Sequence, residues 1–358
     1  MSKPLASLSL DLDNKWSYLK THGDPGWEDF PSYLDVAPPR FLRVLDQLDL
    51  RITVFVVGQD AALERNRPAL ASIAAAGHEI GNHSFRHEPW LQLYSDEELE
   101  RELTDAEEAI EAATGARPSG FRGPGYSFSP AVLASLLRRG YRYDASTFPS
   151  CLGPVARAYY LWTARLSRVE RDKRKQLFGA WSDALRPLRP YWLQAQAPGR
   201  RQPADGSPSG VGAGADRLLE IPVTTMPLLR LPIHMSYLLF LRQWSRGLAW
   251  AYWRLAMVLC RLRRVAPSLL LHPLDFLGKD DEPGLDFFPA MRMKGFEKTD
   301  FVREILGDFA SRFEVLPLGE FAERIASSEQ RWTMDGDRVS QPSRLVASAL
   351  ADAETTRQ

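Results

Sequence analysis

Strand-like and helix-like runs alternate through the first half of the chain, and that alternation constrains the fold more than any other feature. Leu5 to Leu12 reads as a strand with Ser9, Asp11 and Asp13 on one face and Leu8, Leu10 and Leu12 on the other. Residues 36–48 read as a helix that tolerates Pro38 and Pro39 in its first turn. Ile52 to Val57 is a continuous β-branched and aromatic run, as in a strand covered on both faces. Helices follow over 60–76 and 96–114, the second opened by a Ser95/Glu98 capping box and closed by Gly115. Short strands at Ser119–Phe121 and Tyr141–Asp144 flank a helix from Ser129 to Arg139. Later strands fall near Leu218–Thr224 and Ser268–Leu271, with a helix at about 298–311. Such alternation predicts an α/β protein with a parallel sheet wrapped by helices, and periodicity alone fits a barrel and an open sheet equally.

The 358 residues can bury a full core as one large domain. Forty-five basic residues balance forty-five acidic ones, so net charge gives no reason to expect nucleic acid as a partner. Two cysteines, Cys151 and Cys260, are too few for a disulfide framework. The first residues lack a basic region followed by a long apolar run, and no run of about eighteen uncharged apolar residues follows later. The expectation is therefore a cytoplasmic protein. A catalytic domain is expected over 1–326 and a polar, loosely held tail over 327–358. An insertion over 156–217 is expected within that domain; its 156–201 part carries eleven Lys/Arg against three Asp/Glu, and a Gly/Pro/Ser-rich loop ends it.

Three short motifs could carry chemistry. Ser9-Leu10-Asp11-Leu12-Asp13 aims two carboxylates one way from a strand end. Carboxylates that close repel, and a cation beside them would relieve the repulsion. Asn82-His83-Ser84-Phe85-Arg86-His87 places two histidines four apart, and on a helical turn they would share a face and could share a metal. Leu269-Leu270-Leu271-His272 ends an apolar strand in a histidine, where the functional residues of βα folds collect. Between them, Phe121-Arg122-Gly123-Pro124-Gly125-Tyr126 is a tight turn whose glycines let backbone approach a ligand. Each motif alone has an ordinary explanation: a solvated strand end, a polar loop, a structural histidine, a surface turn. Together, one carboxylate and two imidazoles form a facial set that leaves positions open for water and substrate.

In this order the motifs resemble the polysaccharide-deacetylase superfamily, also called the NodB-homology or carbohydrate esterase family 4 group. The resemblance runs from about Leu5 to Leu318 and implies a distorted (β/α) barrel with a metal site at its mouth. It implies that Asp13, His83 and His87 bind the metal and that Asp11, held by Arg122, is the general base. His272 would be the general acid, and Asp144 would orient it. Pro124, Gly125 and Tyr126 would line the substrate, with a backbone N–H of the turn as oxyanion donor. The implied cofactor is one divalent ion, zinc by preference, although iron, cobalt, nickel and manganese suit the same ligands. The first motif departs from the adjacent Asp-Asp of chitin and peptidoglycan deacetylases. In that respect it is similar to a branch that includes cytoplasmic peptidoglycan-deacetylase homologues and hydrolases of cyclic amides and imides.

The implied activity is removal of an N-acyl group, usually N-acetyl, from a sugar or glycan precursor, soluble or lipid-linked. The rivals are a cyclic-amide hydrolase of the same fold and an inactive carbohydrate-binding module. Residues 233–264 interleave aromatic and aliphatic residues with arginines and suit an amphipathic helix. Its apolar face either packs on the barrel or lies in a bilayer interface, and the basic insertion suits either an anionic membrane on the inner face or a lid over the barrel.

Overall fold

The computed structural model describes residues 3–153, 184–194, 217–288 and 290–334. The chain divides into two compact units, Met1–Ala322 and Glu323–Gln358. The sheet and the candidate site belong to the first.

The central strand β1 (Leu5–Asp11) is flanked by β2 (Thr53–Val56) on one side and β8 (Ser268–Leu271) on the other. The series continues from β2 through β3 (Glu79–Asn82), β4 (Gly120–Phe121), β5 (Tyr143–Asp144) and β7 (Arg217–Glu220) to β6 (Tyr191–Gln194). A ninth strand, β9 (Glu314–Leu316), pairs with the start of β1. Every pairing is parallel except β6 with β7. Just beyond β7, the Thr224 amide donates to the Ser268 carbonyl at 3.0 Å, bringing the strand series back to β8. The sheet is thus curled into the distorted (β/α) barrel expected.

Alternation along the strands separates a polar interior from apolar outer faces. Leu8 and Leu10 of β1, Val54 and Val56 of β2, and Leu269 and Leu271 of β8 join one buried cluster with the helices. Those helices include α2 (Ala37–Gln47), α4 (Arg67–Ala75) and α9 (Gly295–Arg312). Phe41, Ile73, Ile305 and Phe309 are fully buried there, and each such side chain contributes about 1.5–3 kcal/mol. Ser9 and Asp11 take the other parity and face inward with Arg122, which hydrogen-bonds to both.

Several sequence expectations are realised closely. Helix α5 spans Asp96–Thr114 with the Ser95/Glu98 box and a left-handed Gly115 cap. Helix α6 spans Pro130–Arg138 behind its Ser129 cap. Other expectations are corrected. The helix expected over 60–76 is interrupted: α3 (Gly58–Ala62) ends at extended Leu63, a 3₁₀ turn follows, and α4 begins at Arg67, where Pro68 is accommodated in the first turn. Helix α1 (Lys15–His22) was not anticipated because it lacks apolar periodicity; its start is fixed instead by Asn14, whose side chain caps Lys15 N at 2.8 Å. The final helix, α10 (Leu318–Met334), continues eight residues into the stretch expected to be a tail. Most of the 156–217 insertion and all of 335–358 lie outside the described residues.

Candidate metal and acid–base site

Parallel strands deliver their following residues to one end of the barrel. Asp11 closes β1, His83 follows β3, Arg122 follows β4, and His272 follows β8. Register makes this specific. Leu10 pairs with Leu271, so Asp11 and His272 leave neighbouring strands side by side, with backbones about 5 Å apart. Asn82 pairs with Phe121, which puts His83 next to Arg122.

Asp13, His83 and His87 converge. The Asp13 carboxylate lies 2.9 Å from His87 Nε2 and 3.3 Å from His83 Nε2, and one ligand atom from each residue falls within 4.8 Å of the others. His83 Nδ1 is 2.6 Å from the Arg122 carbonyl. A carbonyl only accepts, so Nδ1 carries the hydrogen and the Nε2 lone pair is aimed into the cluster. Burial opposes ionisation of Asp13, but the two imidazoles outweigh it and hold the carboxyl well below its ordinary range. Donor types, the inward lone pair of His83 and the spacing all fit a divalent cation. The histidines do not share a helical turn, as the spacing had suggested. They follow β3 in an irregular loop with Ser84 and His87 at positive φ, and Glu102 of α5 accepts from the Phe85 and Arg86 amides to hold it.

The chain after β1 is braced separately. Tyr33 OH donates to the Asp13 carbonyl, and Asn14 Nδ2 donates to buried Asp60 at 2.7 Å. Trp16 Nε1 also donates to Asp60 and its ring packs edge-on to His87.

Arg122 is fully buried. It donates to Asp11 at 2.7 Å, to Ser9 Oγ at 2.9 Å and, through Nε, to the Ala145 carbonyl at 2.9 Å. Its guanidinium lies 4.4 Å from the centre of the Phe55 ring. The carboxylate of Asp11 is therefore fixed in direction. In the turn that follows, Gly125 and Tyr126 both take left-handed backbone, which costs a glycine nothing, and the Tyr126 ring stacks on Phe148 at 4.9 Å. The Gly123 N–H donates to Ser146 Oγ and the Tyr126 N–H to the Gly123 carbonyl. Pro124 has no N–H.

The surroundings of His272 differ from expectation. Its Nδ1 lies 3.2 Å from Ser236 Oγ, at the start of helix α7 (Met235–Trp244), and Ser236 donates to Asp275 at 2.7 Å. The other Asp275 oxygen accepts from the His272 amide, and buried Lys298 donates to the neighbouring Leu274 carbonyl. Asp144 does not take this part. It accepts from Ser146 at 2.5 Å and sits against Glu220, and burial raises both carboxyls, with mutual repulsion adding to Glu220. The reason is topological: β5 and β7 are neighbours, so Asp144 and Glu220 are direct partners in register. Sequence reading missed Ser236 and Asp275. The signal was a His-x-x-Asp spacing, in which the Asp275 carboxylate accepts from the His272 amide on the short turn after β8. It also missed His234, whose ring centre lies 6.1 Å from that of His272 and whose titration burial depresses to about 3.

Fold and site define a class: a distorted (β/α) barrel that gathers an Asp/His/His cluster, an Arg-held carboxylate and a serine-braced histidine at one mouth. The family model for polysaccharide deacetylase matches residues 26–143. A peptidoglycan deacetylase from Helicobacter pylori is 30% identical over 149 residues, covering 40% of this chain and 49% of the relative. A peptidoglycan-N-acetylglucosamine deacetylase from Bacillus cereus is 32% identical over 104 residues, 29% of this chain and 47% of the relative. This chain thus spans about half the length of these curated relatives. The crystal structure of a candidate polysaccharide deacetylase from Mycobacterium smegmatis superposes with a TM-score of 0.56 at 20% identity, over 96% of each chain. The match over residues 26–143 and these relatives support the polysaccharide deacetylase superfamily that the motifs resemble.

Proposed function

We propose that this protein hydrolyses an N-acyl group, N-acetyl in the simplest case, from an amino-sugar unit of a glycan, with one divalent metal ion held by Asp13, His83 and His87. The observation that carries the reading is the pairing of that cluster with a separately anchored carboxylate, Asp11, and a separately anchored imidazole, His272. Amide hydrolysis needs a group to take a proton from water and another to give one to the departing nitrogen. Similarity to a peptidoglycan deacetylase and a peptidoglycan-N-acetylglucosamine deacetylase favours a sugar amide.

A divalent ion, when bound, supplies Lewis acidity that lowers the pKa of a ligated water towards about 7. Asp11, held by Arg122, accepts the proton as water adds to the acyl carbon. The turn amide assigned to the developing oxyanion is that of Gly125, because Gly123 and Tyr126 have spent theirs and Pro124 has none. Loss of such a donor costs about 3 kcal/mol in the barrier. Ser236 gives its hydrogen to Asp275 and so accepts one from His272 Nδ1, which leaves Nε2 as the nitrogen that passes a proton to the leaving amine. Tyr126 and Phe148 offer a stacked aromatic wall for the sugar face.

The test is release of acetate or formate by zinc-loaded protein from N-acylated oligosaccharides, peptidoglycan fragments, nucleotide sugars and cyclic imides. Acetate from a sugar substrate, abolished in Asp11→Asn and His272→Ala, is expected. Imide opening with no acylated sugar turned over would overturn the substrate class, and full activity in Asp11→Asn would overturn the base.

A further inference from the structure

The stretch 233–264 folds as two helices, α7 (Met235–Trp244) and α8 (Arg246–Leu262), broken at Ser245, where extended backbone lets the side chain cap α8 at Leu248. One face of α8 is core: Ala249, Trp253, Ala256, Met257 and Cys260 are buried, and Trp253 packs on Phe309 and donates to Asp308 at 2.7 Å. The opposite face should then be polar. It is not. Trp244 at the helix corner is 76% exposed, and Leu248, Leu255, Val258 and Leu262 follow at spacings that keep them on one outward stripe, Leu262 being 71% exposed. Scattered apolar surface residues need no explanation, but a contiguous stripe marks an interaction surface.

Charge identifies the partner. Residues 233–264 contain six arginines and no acidic residue. Arg246 pairs with Glu304, Arg254 lies over the Trp250 ring with Asp308 near enough to feel its charge, and Arg261 borders the stripe without a carboxylate in salt-bridge contact among the described residues. A second copy docked on this stripe would bring two sets of arginines together with only the already paired Glu304 and Asp308 nearby to offset them. An anionic bilayer meets the same pattern favourably: leucine, valine and tryptophan enter the interface while arginines reach the phosphates. No described helix is long and apolar enough to cross a membrane, so contact lies in the plane of the surface.

We propose that the outer face of α8, together with Trp244 at its corner with α7, is a docking surface for an anionic lipid bilayer. Helix α7 carries Ser236 in its first turn and Trp244 in its last, so the brace of His272 and the docking corner are about 12 Å apart along one helix axis. The docked protein would hold its site close to amide-bearing headgroups. That extension to substrate rests on the deacetylase reading, while the docking itself does not.

Flotation of the full-length protein with vesicles tests it without any substrate. Binding is expected to vesicles of phosphatidylcholine with one third phosphatidylglycerol, to be weakened by salt, and to be absent with phosphatidylcholine alone. Arg254→Gln and Arg261→Gln should each lose about fivefold, and Leu255→Glu/Val258→Glu at least tenfold, with acetate release from a soluble substrate retained. Quenching of wild-type fluorescence by brominated lipids, reduced in Trp244→Phe, checks the orientation without a disruptive variant. No flotation at low salt, equal flotation of the charge variants, or a dimer that Leu255→Glu/Val258→Glu dissociates would each overturn the proposal. Failure to release acetate would leave it standing.

Discussion

Replacing Arg122 by methionine separates the structural from the chemical role of its ion pair. Arg122 is fully buried and Asp11 is 5% exposed, with 2.7 Å between them. Methionine fills much of the arginine's volume but leaves a desolvated carboxylate without its cation and the Ser9 and Ala145 oxygens without their donor. Stranding one partner of a buried pair costs about 3–5 kcal/mol. The larger unit has 322 residues, which implies an unfolding entropy of roughly 0.7 kcal/mol per degree and hence a Tm lower by about 4–8 °C. Neutralising the stranded group in Arg122→Met/Asp11→Asn should return at least about 1.5 kcal/mol of that loss, because contacting residues are not additive. Urea unfolding of the wild type, the single variants and the double variant measures this directly. A single-variant loss under 1 kcal/mol, or a double variant no more stable than Arg122→Met, would refute the claim that the guanidinium exists to hold this carboxylate.

Three further outcomes follow from the same geometry. Ser236→Ala should lower kcat by about tenfold to a hundredfold with little change in KM, since a proton donor loses its orientation; an effect on KM alone would mean that the hydroxyl serves only packing. Burial raises the Asp144 carboxyl to about 6 and the Glu220 carboxyl well above its ordinary value, so this pair contributes stability that falls as pH rises from about 4 through about 6, and Glu220→Gln should flatten that decline; unchanged slopes in denaturation would contradict the raised carboxyls. A Cβ on Gly81 would lie 2.5 Å from the Phe55 ring on which Arg122 rests, so Gly81→Ala should cost about 1–3 kcal/mol through overpacking and depress acetate release as well.

Legibility of the sequence followed the physics of each element. Helix α5 was readable to the residue because its cap, capping box and terminal glycine are all local signals. Strands β1, β2 and β8 were readable because their outward leucines and valines alternate or run on. Strand β3 was not: Glu79-Ile80-Gly81-Asn82 carries a charge and a glycine, and its place in the sheet comes from pairing with β2 and β4. The Asp13/His83/His87 set was legible from residue type and spacing, although the inferred helical turn is a loop shaped by positive φ and by Glu102. The serine of the His272 brace was illegible, since Ser236 meets it across 36 residues of sequence and only the packing of α7 against β8 joins them, whereas Asp275, three residues on, left the His-x-x-Asp spacing as its signal.

The central claim is that one divalent ion is held by Asp13, His83 and His87, and equilibrium dialysis against zinc with elemental analysis measures it most directly. One ion per wild-type chain is expected, with an affinity lower by about a hundredfold or more in Asp13→Asn and His83→Gln. His22→Gln, whose parent side chain bonds to Asp24 and stacks on Phe287 outside the cluster, should bind as the wild type does. Zinc bound equally well by Asp13→Asn, or not bound stoichiometrically by the wild type, would contradict it.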